Sequence, residues 1–248
     1  MYKRFIEGKK VVCFDLDGTV VDSEPIYASA FANVLELTAP DLDFDLIFGR
    51  SGESLGDKWG KLADARLLQP NITVKDLVNN TYKEFLKLFI KAQLEPREGF
   101  WDLIYTLKIK KGLKLALTTN TEKSVAAQVI NALGINEVFD FMIFGDEVKR
   151  KKPNPEMYLH TAKHFGVKPS EMLVFEDSIA GTTAAYKSGA SLIVMWDQQT
   201  GKRYFPEETL AFTTDFAGLA DNLDHTVDEA LEDYRKSIEA SQRQQTQK

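Results

Sequence analysis

The chain has 248 residues, 44% hydrophobic and 27% charged, with a formal net charge of −6 and 1 cysteine; this is the make-up of a globular α/β protein with its own apolar core, not of a disordered chain. The acidic balance argues against a nucleic-acid partner, which selects clustered Lys and Arg, and the lone Cys13 excludes an intramolecular disulfide and reads as a small core residue. No apolar run reaches the roughly 18 residues that span a bilayer, and the opening MYKRFIEGKK holds no export-type apolar stretch, so the expectation is a cytoplasmic protein with no membrane partner.

In chain order, the first apolar run, Val11 to Phe14, reads as a buried strand that ends in Asp15-Leu16-Asp17-Gly18-Thr19. From about Asp22 to Glu95 no convincing strand appears. Tyr27, Ala30, Phe31 and Val34 recur at helical spacing, and a second helical pattern runs through Leu77 to Phe89, so this stretch reads as an inserted helical domain. Pro96 and Gly99 mark the return to the core. Strand-like runs then follow at Leu113 to Leu117, Phe139 to Phe144, Met172 to Phe175 and Ser191 to Met195.

Between these runs lie helical stretches with start and stop signals. Thr121 is placed to cap a helix carrying Val125, Val129 and Leu133 and stopped by Gly134. Asn154 and Pro155 open another that ends at Gly166, and Ser178 opens a third ending near Gly189. The alternation predicts an α/β fold, a parallel sheet with helices on both faces. The resulting division is residues 1–21 plus 96–225 as the core, 22–95 as the helical insertion, and a polar, Gln-rich tail at 226–248. Trp59 and Trp101 read as core residues, Glu156, His160 and His164 as surface decoration of one helix, and Lys149, Arg150 and Lys151 as loop charges.

In open parallel sheets ligands bind outside the carboxyl ends of the strands, so the residue after each run carries the information. Those residues are Asp15 and Asp17, Thr119 and Asn120, Lys152, and Glu176 and Asp177. Two like charges ~4 Å apart cost about 4 kcal/mol at an effective dielectric near 20, so converging carboxylates call for a cation. Carboxylates without His or Cys point to a hard ion, and Mg²⁺ suits a site that shares a substrate phosphate. A lysine, a hydroxyl and a helix start suit that phosphate. Together they specify metal-assisted phosphoryl transfer, with Asp15 as nucleophile and Asp17, two residues on, as acid and base. Gly18 gives the turn freedom to approach a ligand.

Taken together, Asp15-Leu16-Asp17-Gly18-Thr19, Thr119, Lys152-Pro153 and Glu176-Asp177 resemble the four ordered motifs of the haloacid dehalogenase-like superfamily. Asp22-Ser23-Glu24-Pro25, Lys152-Pro153-Asn154-Pro155-Glu156 and Phe175-Glu176-Asp177-Ser178-Ile179-Ala180-Gly181 resemble its β-phosphoglucomutase-like phosphatase branch. The resemblance implies a Rossmann-like core with a helical cap inserted after the first strand. It implies that Asp15 is nucleophile and Mg²⁺ ligand, that Asp17 is acid and base and offers its backbone carbonyl to the metal, and that Thr119 and Lys152 hold the phosphate. Glu176 and Asp177 complete the metal site, their order open. Asn120 is a candidate phosphate donor, and Arg50, in a stretch that approximates the family's specificity loop, a candidate contact for a second anionic group.

The family's dehalogenases lack the second aspartate, so Asp17 argues against carbon–halogen cleavage. In β-phosphoglucomutases a histidine follows the first motif by about ten residues and favours transfer to sugar, and here Tyr27 stands in that neighbourhood. The expectation is therefore an Mg²⁺-dependent phosphatase of a small phosphorylated metabolite, working through an aspartyl phosphate, with a phosphosugar mutase as the alternative. The particular metabolite and the oligomeric state stay open.

Overall fold

The computed structural model describes residues 5–39, 55–65, 67–68 and 72–222; Arg50 and the tail at 226–248 lie outside them. Six parallel strands form one sheet in the order β3-β2-β1-β4-β5-β6: β1 Val11–Phe14, β2 Lys114–Thr118, β3 Phe141–Ile143, β4 Met172–Glu176, β5 Ser191–Met195 and β6 Ala211–Thr213. A central parallel strand is covered on both faces and so reads as a continuous apolar run, which is what Val11–Phe14 is, buried throughout. The chain runs outward from β1 through β2 to β3 on one side and from β4 through β5 to β6 on the other. The sheet's switch point therefore lies between β1 and β4, where a crevice opens at the carboxyl ends. Strand β6 escaped the sequence reading because its three residues are only half-buried and carry no long apolar run.

Alternation along β1 divides the core. Phe14 faces one side and stacks on Phe175, its register partner in β4, at 5.0 Å between centroids, with Phe100 and Phe216 presenting edges at 6.1 and 5.9 Å. Cys13 faces the other side, among Val174, Tyr158 and Ala184. Asp15 and Glu176, one residue beyond this aromatic pair, are thereby rooted in a dense aromatic layer.

The helices are α1 Glu24–Thr38, α2 Leu55–Asp64, α3 Val74–Ala92, α4 Phe100–Tyr105 with a π-helical turn at Thr106–Lys110, α5 Lys123–Ala132, α6 Glu156–Phe165, α7 Ile179–Ser188 and α8 Leu219–Asn222. None is long and apolar enough to cross a membrane. Helices α1 to α3 bury Phe31, Val34, Leu35, Trp59, Leu62 and Leu77 against one another. Helix α3 starts on a reciprocal Thr73–Asp76 capping box. Gly166 and Gly189 end α6 and α7 in the left-handed conformation, at φ 65° and 87°.

Three local expectations need correction. Helix α5 begins one position later than Thr121 promised, with Glu122 at its N-cap, and the Thr121 side chain is turned to Asp17 instead. Pro155 sits at the N-cap of α6 instead of its first helical position. Trp59 is fully buried and donates its indole N–H to Thr81 Oγ1 at 3.0 Å, but Trp101 is 51% exposed, since α4 turns its neighbours Phe100 and Leu103 inward and leaves Trp101 facing out. His160 and His164 are exposed, as expected, whereas Glu156 ties down the basic loop through Lys149 N at 2.8 Å and Arg150 Nε at 3.5 Å.

Candidate active site

The ladder between β1 and β4 continues one residue past β1, with Asp15 N donating to Phe175 O at 3.0 Å, which sets Asp15 and Glu176 side by side at the strand ends. Between their carboxylates lies the Lys152 ammonium. It donates to Asp15 Oδ1 at 2.7 Å, to Glu176 Oε1 at 2.6 Å and to the Thr118 carbonyl at 2.7 Å, all three of its protons used and the whole group buried. Burial alone would lower its pKa, but the two carboxylates outweigh that and hold it well above the usual lysine range.

Asn120 explains how a lysine on a loop reaches this point. Its amide carbonyl accepts from Lys152 N at 3.0 Å and its amide nitrogen donates to Lys152 O at 3.2 Å, so it clamps the lysine backbone from both sides. One amide hydrogen is left over for a phosphate. Thr119 is buried, anchored by its N–H to Ile143 O at 3.1 Å. Its Oγ1 accepts from Thr121 N at 3.0 Å, which leaves its hydroxyl proton to donate elsewhere.

Glu176 is fully occupied. Oε1 also accepts from Tyr158 OH at 2.9 Å, and Oε2 lies within 3.2 to 3.4 Å of Asp177 N, Ser178 N and Ser178 Oγ. Gly181 permits this, because a Cβ there would fall inside the Glu176 carboxylate; Gly18, at φ 79°, likewise has the Asp177 carboxylate where its side chain would be.

Asp17 turns away from Lys152. Its Oδ1 accepts from Ser23 Oγ at 2.8 Å and its Oδ2 from Thr121 Oγ1 at 2.7 Å. Ser23 stands at the N-cap of α1 and makes no side-chain cap bond; its hydroxyl donates to Asp17. Burial pushes the Asp17 carboxyl up, with the two hydroxyls pulling the other way. Asp15 and Asp177 are held well above the carboxylate range, by burial first, with Lys152 opposing at Asp15 and neighbouring carboxylates adding at both.

One carboxylate oxygen each from Asp15, Glu176 and Asp177 lies within 4.8 Å of the others. An all-oxygen set of this kind fits a hard divalent cation. Lys152 bonds two of the four carboxylates of Asp15, Asp17, Glu176 and Asp177, which leaves negative charge for such an ion to balance. Above them opens a cavity of about 410 Å³, roofed by Tyr27, Lys58, Lys75, Asn79 and Tyr82 from the helices and floored by the strand-end residues. That volume admits a ligand of sugar-phosphate size.

The structure thus brings Asp15, Asp17, Thr119, Asn120, Lys152 and Asp177 to one cavity, with Glu176 directly beneath. It also adds residues that the sequence reading passed over. Ser23 lay inside a quoted motif without a role. Tyr158 is another, and its signal is a tyrosine on the buried side of a helix, whose hydroxyl needs a partner. Arg97 carried no signal, yet its Nε and Nη2 donate to the Gly18 carbonyl at 3.1 and 2.9 Å.

The chain is similar to known proteins along most of its length. The family model of the haloacid dehalogenase-like hydrolases matches residues 12–195. The phosphorylated carbohydrates phosphatase of Thermotoga maritima is 33% identical over 74% of this chain and 83% of its own length. The fructose-1-phosphate phosphatase YqaB of Escherichia coli is 28% identical over 78% of this chain and 97% of its own. Among solved structures, a hydrolase from Pseudomonas syringae superposes with a TM-score of 0.71 at 25% identity, covering 87% of this chain and 98% of its own.

Proposed function

The chain belongs to the haloacid dehalogenase-like hydrolases, and from that premise we propose that it is an Mg²⁺-dependent phosphatase of a small phosphorylated metabolite that acts through an aspartyl phosphate on Asp15. The observation that carries this reading is the Lys152 ammonium fixed between Asp15 and Glu176 at the switch point of the sheet. It leaves the second oxygen of Asp15 as the nucleophile and places positive charge beside the phosphorus it attacks. The two relatives named above are phosphatases of phosphorylated sugars.

In the first step Asp15 attacks phosphorus, the bond from phosphorus to the alcohol oxygen breaks, and Asp17 delivers its proton to that oxygen. Burial, by raising the Asp17 carboxyl, keeps the proton available. Thr119 holds a phosphoryl oxygen with its free hydroxyl proton, and Lys152, its three protons engaged, offsets the phosphoryl charge from beside Asp15. In the second step the ionised Asp17 takes a proton from water as it attacks phosphorus, and Asp15 is released. Asp15, Asp177 and the Asp17 carbonyl would hold the metal, and Glu176, whose Oε1 already accepts from Lys152 and Tyr158, would complete the site from beneath while fixing Lys152. When bound, the metal supplies neutralisation of the phosphoryl charge. In this reading residues 22–95 are a cap over the core of residues 1–21 and 96–225, a closure that keeps bulk water from the intermediate.

The test is phosphate release from a panel of sugar phosphates, glycerol 3-phosphate, phosphoglycolate, nucleotides and p-nitrophenyl phosphate, with Mg²⁺ and with chelator. Metal-dependent release concentrated on a few small phosphates supports the reading. Isomerised sugar phosphate without free phosphate would establish the mutase alternative, and no reaction with any of them sinks both.

A further inference from the structure

Tyr158 is fully buried on α6 and packs in the apolar layer with Val11, Cys13, Ala116 and Val174. A phenylalanine would fill that layer as well, so the hydroxyl is the part that packing does not account for. It donates to Glu176 Oε1 at 2.9 Å, the oxygen that also accepts from Lys152 Nζ at 2.6 Å, and the Lys152 ammonium lies 5.4 Å from the centre of the Tyr158 ring. Burial first, and the Glu176 charge next, push the phenol well above the ordinary tyrosine range, so it stays a donor. The same helix holds the loop that carries the lysine. Asn154 Oδ1 accepts from Glu156 N at 3.1 Å, and the Glu156 carboxylate accepts from Lys149 N at 2.8 Å. The start of α6 grips the Lys152 loop at its exposed end through Glu156 and at its buried end through Tyr158.

Lys152 is pulled two ways, toward Asp15 Oδ1 at 2.7 Å and toward Glu176 Oε1 at 2.6 Å. In a buried site water and salt screen neither pull strongly, so the place of the ammonium follows the charge that each oxygen keeps. A carboxylate oxygen that accepts a second hydrogen bond has less charge to offer the first donor. Tyr158 takes that share from Glu176 Oε1, and among the described residues no second side-chain donor does so for Asp15 Oδ1. Resting on the phosphatase reading above, we infer that Tyr158 is a positioning residue for phosphoryl transfer: its hydroxyl moderates the hold of Glu176 on Lys152 and so keeps the ammonium bonded to Asp15. Without the hydroxyl, Glu176 draws Lys152 toward itself, the Asp15 contact lengthens, and the attacking carboxylate loses the bond that fixes its rotation. Tyr158 does not line the cavity, so the effect falls on kcat and leaves substrate binding alone.

The experiment measures kcat and KM separately for phosphate release from p-nitrophenyl phosphate by wild type, Tyr158→Phe and Thr161→Val. Tyr158→Phe keeps the ring and leaves Glu176 Oε1 bonded to Lys152, so it is expected to fold. Thr161→Val removes another buried hydroxyl of α6, one that bonds Met157 O within the helix at 2.9 Å, and controls for the loss of a hydroxyl by itself. The expected result is a kcat about tenfold lower in Tyr158→Phe with KM unchanged, the scale of a reacting group displaced by well under an ångström, and a kcat within about twofold of wild type in Thr161→Val. An unchanged kcat in Tyr158→Phe, a loss carried by KM, or an equal loss in Thr161→Val overturns the inference, while release by the wild type leaves the phosphatase reading standing. No release by the wild type removes that reading and the inference with it.

Discussion

The Arg97 guanidinium and the Gly18 carbonyl are joined by two hydrogen bonds, from Nε at 3.1 Å and Nη2 at 2.9 Å. The same side chain reaches Thr214 O through Nη1 at 3.3 Å and pairs with Asp22 Oδ1 at 3.4 Å, and its backbone N–H donates to Val20 O at 2.8 Å. Arg97 therefore fastens together the segment leaving the core, the segment returning to it and the loop after β6. Because Gly18 follows Asp17 directly, the fork fixes the turn that aims the Asp17 carboxylate, the proposed acid and base. Replacing Arg97 by Met is expected to lower kcat by about 10- to 100-fold, the cost of misplacing a reacting group by a fraction of an ångström to an ångström. Arg97→Lys, which keeps the charge but not the fork, should recover only part of it. A loss confined to Tm, with kcat intact, would mark the residue as a brace and nothing more.

Lys152 lies directly between Asp15 and Glu176, so Lys152→Met removes positive charge from beside the proposed nucleophile and strands two buried carboxylates at once. Loss of one electrostatic donor costs about 10²- to 10³-fold in kcat, and breaking a buried ion pair costs about 3 to 5 kcal/mol of stability. Adding Glu176→Gln relieves the stranded charge. The double variant should regain stability in a denaturant titration and regain no activity; recovery of both, or of neither, contradicts the division of labour argued for Glu176 and Lys152.

How much of this was legible in the sequence depends on whether a residue's role is local. Asp15, Thr119, Lys152 and Glu176 each follow an apolar run or its connection, and a parallel sheet sends all such positions to one edge, so their meeting could be foreseen. Arg97 serves a carbonyl 79 residues away, a partner with no side-chain identity to read. Thr121 has the right residue type for a helix cap, but capping needs its oxygen to face the N–H groups of the first turn, and here Glu122 takes the N-cap while the Thr121 hydroxyl is aimed at Asp17. Trp101 shows the limit of helical spacing, since a one-residue step rotates a side chain by about 100° and carries it from core to solvent. Strand β6, short and half-buried, left no periodic trace.

The pH profile should report Asp17. Its carboxyl is raised by burial and pulled down by hydrogen bonds from Thr121 and Ser23. In the proposed mechanism the first chemical step needs the protonated acid, so kcat/KM is expected to fall as pH rises through the Asp17 pKa, a limb that lies above the ordinary carboxylate range. Thr121→Val removes a donor that favours the ionised form, which raises the pKa further and moves the limb to higher pH; Ser23→Ala acts in the same direction. A limb that stays put or moves to lower pH in either variant excludes Asp17 as its source.

Gly181→Ala and Gly60→Ala are the same substitution in two helices and should have opposite outcomes. Alanine is favoured over glycine in a helix interior by about 1 kcal/mol, and at Gly60, within α2, the space where a Cβ would go is open. Gly60→Ala should therefore stabilise the protein slightly and leave turnover unchanged. At Gly181, in the first turn of α7, the added Cβ would occupy the position of the Glu176 carboxylate. The carboxylate must move, and it cannot do so without releasing Lys152 Nζ, now at 2.6 Å, and Tyr158 OH, now at 2.9 Å. The displaced lysine is the residue on which the Asp15 geometry depends, so kcat/KM is expected to drop by about 100-fold or more, with a lowered Tm despite the better helix former. Equal behaviour of the two variants in a thermal melt and a phosphate-release assay would mean that the contact beneath Glu176 yields freely, and with it the claim that Gly181 sets the position of Lys152.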